Sequence, residues 1–150
     1  MEAYEELKAE ISNGPSAEEL FEQQFGVKPV DPRADGVNLV HADSSNFDSY
    51  VRKSPVPVAV DFWAAWCAPC KILAPTFKDL AEQYDGKMRF VKVDTEENDA
   101  LAARYGVMSI PTVGFFINGE LVDRSVGALP KAQLQAKIEK VMKMQEVANV

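Results

Sequence analysis

The stretch Val56-Pro57-Val58-Ala59-Val60-Asp61-Phe62-Trp63-Ala64-Ala65-Trp66-Cys67-Ala68-Pro69-Cys70-Lys71 joins a nearly continuous apolar run to a pair of cysteines. Val56–Phe62 has the pattern of a strand buried on both faces by helices. One acid, Asp61, lies inside it, where an unpaired carboxylate would be costly. Roughly Cys67–Tyr84 then reads as a helix, interrupted and kinked at Pro75, which lacks a backbone donor. A thiol at the start of a helix feels the positive end of the dipole and faces unpaired N–H groups, both of which favour thiolate. In such settings the cysteine pKa falls to about 3.5–7.5, against about 8.5 for a free thiol. Cys67, at or before the first helical residue, is expected to be exposed and to attack. Cys70, one turn in, is expected to be enclosed and to resolve. Pro69 fixes φ where no helical donor is lost.

The rest of the chain limits what this pair can be. There are only two cysteines and one histidine, His41, on a different predicted strand. A zinc site needs two ligands more than the pair supplies, so no metal is expected. A structural staple is also disfavoured, because closing so small a loop removes little unfolded-state entropy. A redox-active disulfide between Cys67 and Cys70 is the chemistry that remains.

Outward from the pair, strands and helices alternate. Val37–His41 reads as a short strand, and Asp43 or Ser44 as the cap of a helix running to about Lys53. Arg89–Val93 reads as a strand and Asn98–Tyr105 as a helix ended by Gly106. Thr112–Ile117, Asn118-Gly119 and Glu120–Val126 form a hairpin, since Asn-Gly supplies the positive φ angles of a type I′ turn. Pro130–Met144 is an amphipathic helix with Leu134, Ile138, Val141 and Met142 on one face. This order describes an α/β domain, a mixed sheet with helices on both faces. Phe115, Phe116, Val113 and Trp63 are expected in its core.

Residues 1–36 differ from the domain spanning 37–150. Residues 1–37 carry nine acids against three bases, leaving 14 acids and 13 bases in the remainder of a chain with net charge −7. Tyr4, Leu7 and Ile11 at helical spacing, then a capping box at Ser16-Ala17-Glu18-Glu19, predict two short helices; Pro29, Pro32 and Gly36 predict a linker. An acidic chain without a basic patch is a poor nucleic-acid ligand. No apolar run is long enough for a membrane span, and the acidic N-terminus resembles no secretory or transit signal, so a cytoplasmic location is expected.

The active-site stretch Asp61–Lys71 resembles that of the thioredoxin family. Pro75, Lys92, Asp94, Ile110-Pro111-Thr112, Asn118-Gly119 and Val126-Gly127-Ala128-Leu129 agree with it in order and spacing. The similarity covers about residues 38–145. It implies a thioredoxin fold with a central mixed five-stranded sheet, and a protein-disulfide reductase working through a mixed disulfide. By that resemblance Asp61 helps deprotonate Cys70, Lys92 approaches Asp61, and Pro111 is a cis-proline facing the disulfide. Trp66, Ala68, Pro69, Ile110, Pro111, Gly127 and Ala128 would form a flat, largely apolar substrate surface, with Gly127 allowing close backbone approach. No cofactor is required, disulfide-containing proteins are the substrates, a thioredoxin reductase is the implied electron donor, and a monomer is expected. The chain departs from the usual Gly-Pro spacer by carrying Ala68-Pro69, which leaves its redox potential open: about 30 mV corresponds to about 1.4 kcal/mol. Two alternatives stay open on the sequence. One is a disulfide oxidase or isomerase; the other is a binding module in which the extension selects the partner.

Overall fold

Apolar β-branched and aromatic residues concentrate in three runs, 58–63, 89–94 and 112–117, and these build the centre of the sheet. In the computed structural model, which describes residues 36–148, β1 is Leu39–His41, β2 Val58–Trp63, β3 Arg89–Asp94, β4 Thr112–Ile117 and β5 Glu120–Val126. The helices are α1 Phe47–Val51, α2 Ala68–Gln83, α3 Asp99–Arg104 and α4 Lys131–Ala148. The helices expected within residues 1–35 lie outside the described residues.

The strand order is β1-β3-β2-β4-β5. β1 and β2 both pair parallel to β3, while β4 runs antiparallel to β2 and to β5. This is the mixed sheet that the element order predicts, with the five strands that the family resemblance implies. Every residue of β2 and β4 is buried, as expected for central strands covered on both faces. One core lies under α2 and α4, with Leu73, Phe77, Leu80, Phe90, Phe115, Leu134 and Ile138 at its centre. The other lies under α1 and α3, around Phe47, Val60, Phe62, Val91, Leu101 and Phe116.

Several boundaries differ from the sequence expectation for identifiable reasons. β1 starts at Leu39 because Asn38 adopts φ +59°, breaking the extended run. Its side-chain amide donates to the carbonyls of Ala81 (2.9 Å) and Met88 (2.7 Å), tying the end of α2 to the start of β3. Asp43 does not cap α1. Its carboxylate instead accepts from the Ser45 and Asn46 amides in a local turn, and the helix begins only at Phe47. α2 is not interrupted at Pro75, and it runs through to Gln83. α4 continues past Met144 to Ala148.

The β4–β5 hairpin turns as expected, with positive φ at both Asn118 (53°) and Gly119 (83°). A Cβ on Gly119 would also lie 2.8 Å from Arg52 Cγ and 3.2 Å from Arg52 Cα. Gly119→Ala is therefore expected to destabilise the fold by about 1–2 kcal/mol, read as a lowered urea midpoint with unchanged slope.

Candidate active site

β2 delivers the site. Its last residue, Trp63, is followed by a tight turn in which the Cys67 amide donates to the Ala64 carbonyl (3.2 Å), and α2 starts immediately after. The dithiol thus sits beyond the carboxyl ends of parallel strands, where open α/β sheets place ligands. Cys67 is the N-cap of α2, in extended conformation (φ −88°, ψ 109°), and Pro69 occupies the first turn. Cys67 and Cys70 form a disulfide, with Cα atoms 5.3 Å apart.

The two sulfurs have different surroundings. The Cys70 amide points at Cys67 Sγ (3.2 Å), so the sulfur fills the acceptor place of a capping side chain. The same N–H and the helix dipole would stabilise negative charge on Cys67 once the disulfide opens. The Ile110 carbonyl oxygen lies 3.8 Å from Cys67 Sγ. Cys70 is fully buried, packed with Trp63 and Ala64. Cys67 is less exposed than its position at the helix start suggests, at 3% of its surface. The loop before β4 closes over it from a distant part of the chain, which local sequence does not register. Even so, it is Cys67 and not Cys70 that lines the surface groove.

Asp61, on β2, is fully buried, and neither of its oxygens accepts a hydrogen bond among the described residues. It pairs in register with Lys92 on β3, whose Nζ is 3.8 Å from Asp61 Oδ2 and is itself buried. Lys92 is therefore not a solvated surface lysine. Burial pushes the Asp61 carboxyl up to about 6, with the Lys92 charge pulling the other way. Lys92 Nζ also lies 5.3 Å from the centroid of Trp63, a core residue as expected. Lys71, next to Cys70, is buried too, and burial lowers its ammonium pKa.

The Ile110–Pro111 bond is cis, as expected. A groove of about 550 Å³ opens beside Cys67, lined by Trp66, Ala68, Pro69 and Ile110. Trp66 is 62% exposed, so it belongs to this surface and not to the core. Pro111 is buried and does not itself line the groove. Gly127, the residue after β5, donates its amide to the Pro111 carbonyl (2.8 Å) and does not line the groove. A Cβ on Gly127 would meet nothing within 4 Å among the described residues, so the glycine is explained by its φ of +92° and not by crowding. Ala128 packs against the α2–α4 core and does not line the groove.

Sequence reasoning missed further groove residues. Thr95, Ala102, Val107, Met108 and Ser109 also line the groove, and Glu96, outside that lining, accepts a hydrogen bond from Trp66 Nε1 (2.7 Å). They lie 25 or more residues along the chain from the cysteines, on α3 and the segments that follow β3 and α3, with no local pattern to mark them.

The thioredoxin family model matches residues 38–140. Thioredoxin 1 of Nostoc sp. is 50% identical over 96 residues, covering 64% of this chain and 90% of the relative. Thioredoxin of Haemophilus influenzae is 45% identical over 96 residues, with the same coverage of both chains. The chloroplastic M-type thioredoxin of Pisum sativum is 48% identical over 107 residues, covering 71% of this chain but only 62% of the relative. Relatives named for the chloroplast thus stand beside bacterial ones, and they lend no support to the cytoplasmic expectation. Among the described residues, no helix is long and apolar enough to cross a membrane.

Proposed function

Since the chain belongs to the thioredoxin family and is a thiol–disulfide oxidoreductase of thioredoxin type, we propose that it reduces protein disulfides through a mixed disulfide on Cys67. The observation that carries this reading is the asymmetry of the pair. Cys67 lines the groove and caps α2, whereas Cys70 is sealed behind it.

The thiolate of Cys67 attacks one sulfur of the substrate disulfide. That S–S bond breaks, the distal substrate sulfur leaves as thiolate and takes up a proton, and a new S–S bond joins Cys67 to the substrate. Cys70 then loses its proton and attacks Cys67 Sγ. The second substrate sulfur is released, and the two electrons gained by the substrate leave the protein with its Cys67–Cys70 disulfide. Asp61 supports the second step. Its carboxyl, with a pKa near neutrality, lies in the β2 register between Lys92 and Val113 and suits it to accept the Cys70 proton. Lys92 limits how far that pKa rises. Trp66, Ala68, Pro69 and Ile110 form the docking surface, with the cis Ile110–Pro111 bond setting the path of the Ile110 backbone. A thioredoxin reductase returns the protein to the dithiol, and the protein works as a monomer without a cofactor.

The direct test is insulin reduction with dithiothreitol as the recycling reductant. Precipitation of the insulin B chain well ahead of the dithiothreitol control is expected; a rate equal to that control would overturn the reading.

The hydrogen bond from Trp66 to Glu96 holds the exposed indole over the groove. Glu96→Ala should raise KM for a protein disulfide about threefold with little change in kcat. Glu96→Gln, which keeps an acceptor oxygen, should restore most of the loss. Equal KM values for both variants and the wild type would remove Glu96 from the docking surface.

A further inference from the structure

We infer that Met108 is a specificity-determining residue of the dithiol site, selecting disulfides flanked by a bulky apolar side chain; this rests on the reductase reading above. Met108 is 96% exposed, the most exposed large apolar side chain among the described residues. A lone apolar side chain on a surface needs no explanation. This one continues a wall formed by Trp66, Pro69, Val107 and Ile110 around the groove that Cys67 enters.

The described groove lining is also without charge. Among the described residues its lining holds no acidic or basic side chain, and its hydroxyls belong to Thr95 and Ser109. The Thr95 hydroxyl donates to the Trp63 carbonyl (3.2 Å). The nearby carboxylate of Glu96 already accepts from the Trp66 indole. A charged side chain beside the substrate cysteine would lose water here without gaining a partner. An apolar one would cover Met108 and Trp66 together, removing both from water. The methionine suits varied apolar partners, since its unbranched thioether has three rotatable bonds and is polarizable. The occupant is therefore an extended substrate segment with a large aliphatic or aromatic residue next to its disulfide cysteine.

Because Met108 makes so little contact with the fold, substitutions there should leave the urea midpoint unchanged. The test compares kcat/KM for two disulfide peptides that differ only in carrying Leu or Glu beside the attacked cysteine, with dithiothreitol as recycling reductant. The wild type should prefer the Leu peptide by about tenfold. Met108→Leu should keep that preference. Met108→Gln, close in size but polar, should lower it about fivefold, chiefly through the Leu peptide. Met108→Lys should bring the two peptides within about twofold by favouring the Glu peptide. If the wild type reduces both peptides and neither polar variant moves their ratio, Met108 is not a specificity residue and the reductase reading stands. If the wild type reduces neither peptide beyond the dithiothreitol control, the reductase reading itself fails.

Discussion

Cys67→Ser is expected to lower insulin reduction to the rate of the reductant alone, while Cys70→Ser still attacks but stays bound to its substrate. The two changes are chemically identical, so the difference between them comes only from position. Cys67 caps α2 with the Cys70 amide 3.2 Å from its sulfur and lines the groove. Serine there is a far weaker nucleophile at neutral pH than a stabilised thiolate. Cys70 is buried and reaches no external disulfide. Its loss removes the only internal thiol that can release the mixed disulfide. Cys70→Ser should therefore accumulate as a covalent adduct with a disulfide substrate, visible as added mass on a non-reducing gel and lost on adding dithiothreitol. A Cys67→Ser protein that retains activity, or a Cys70→Ser protein that forms no adduct, would exclude this assignment of roles.

Asp61→Asn is expected to stabilise the oxidised protein at neutral and alkaline pH, by up to about 3 kcal/mol. The carboxyl has a pKa of about 6 when folded, against a reference value of 3.8. Between those values the folded state binds more protons than the unfolded one. Stability is therefore greatest below the lower value, falls as pH rises through the window, and levels off above the upper one. The gap is worth roughly 3 kcal/mol at about 1.4 kcal/mol for each pH unit. Asparagine mimics the uncharged acid at every pH, so the gain should be largest near pH 8 and under about 1 kcal/mol at pH 4. Urea unfolding of the wild type and the variant at both values measures it; a gain equal at both, or absent at pH 8, would contradict a buried carboxyl that ionises within the fold. The same change should slow release of the mixed disulfide about 10- to 100-fold near pH 7, because Cys70 loses its proton acceptor. More stable and less active is the paired outcome.

Most of the fold is legible where local chemistry decides it. The Asn118-Gly119 turn supplies both positive φ angles itself, and the hairpin matches its expected limits residue for residue. The placement of Cys67 at the start of α2 follows from a buried strand, a small-residue turn and Pro69. Asp61 is legible as an acid inside an apolar run, and Lys92 as its partner through the family resemblance. What local sequence does not register is set by distant groups. β1 is shortened by an asparagine amide satisfying two carbonyls more than 40 residues away. Cys67 is covered by the Ile110 carbonyl, and Trp66 is held by Glu96, both brought in by the loops that follow α3 and β3. Met108 reaches the groove in the same way. No periodicity within a single element encodes such contacts.

Alkylation of the reduced protein by limiting iodoacetamide, followed by peptide mass mapping across pH 4 to 10, tests the asymmetric dithiol most directly. The geometry predicts that Cys67 is labelled first, with a midpoint inside the range of about 3.5–7.5 seen for helix-start thiols. Cys70 should remain unlabelled until well after. Equal labelling of the two cysteines, or a Cys67 midpoint near the free-thiol value of about 8.5, would contradict it.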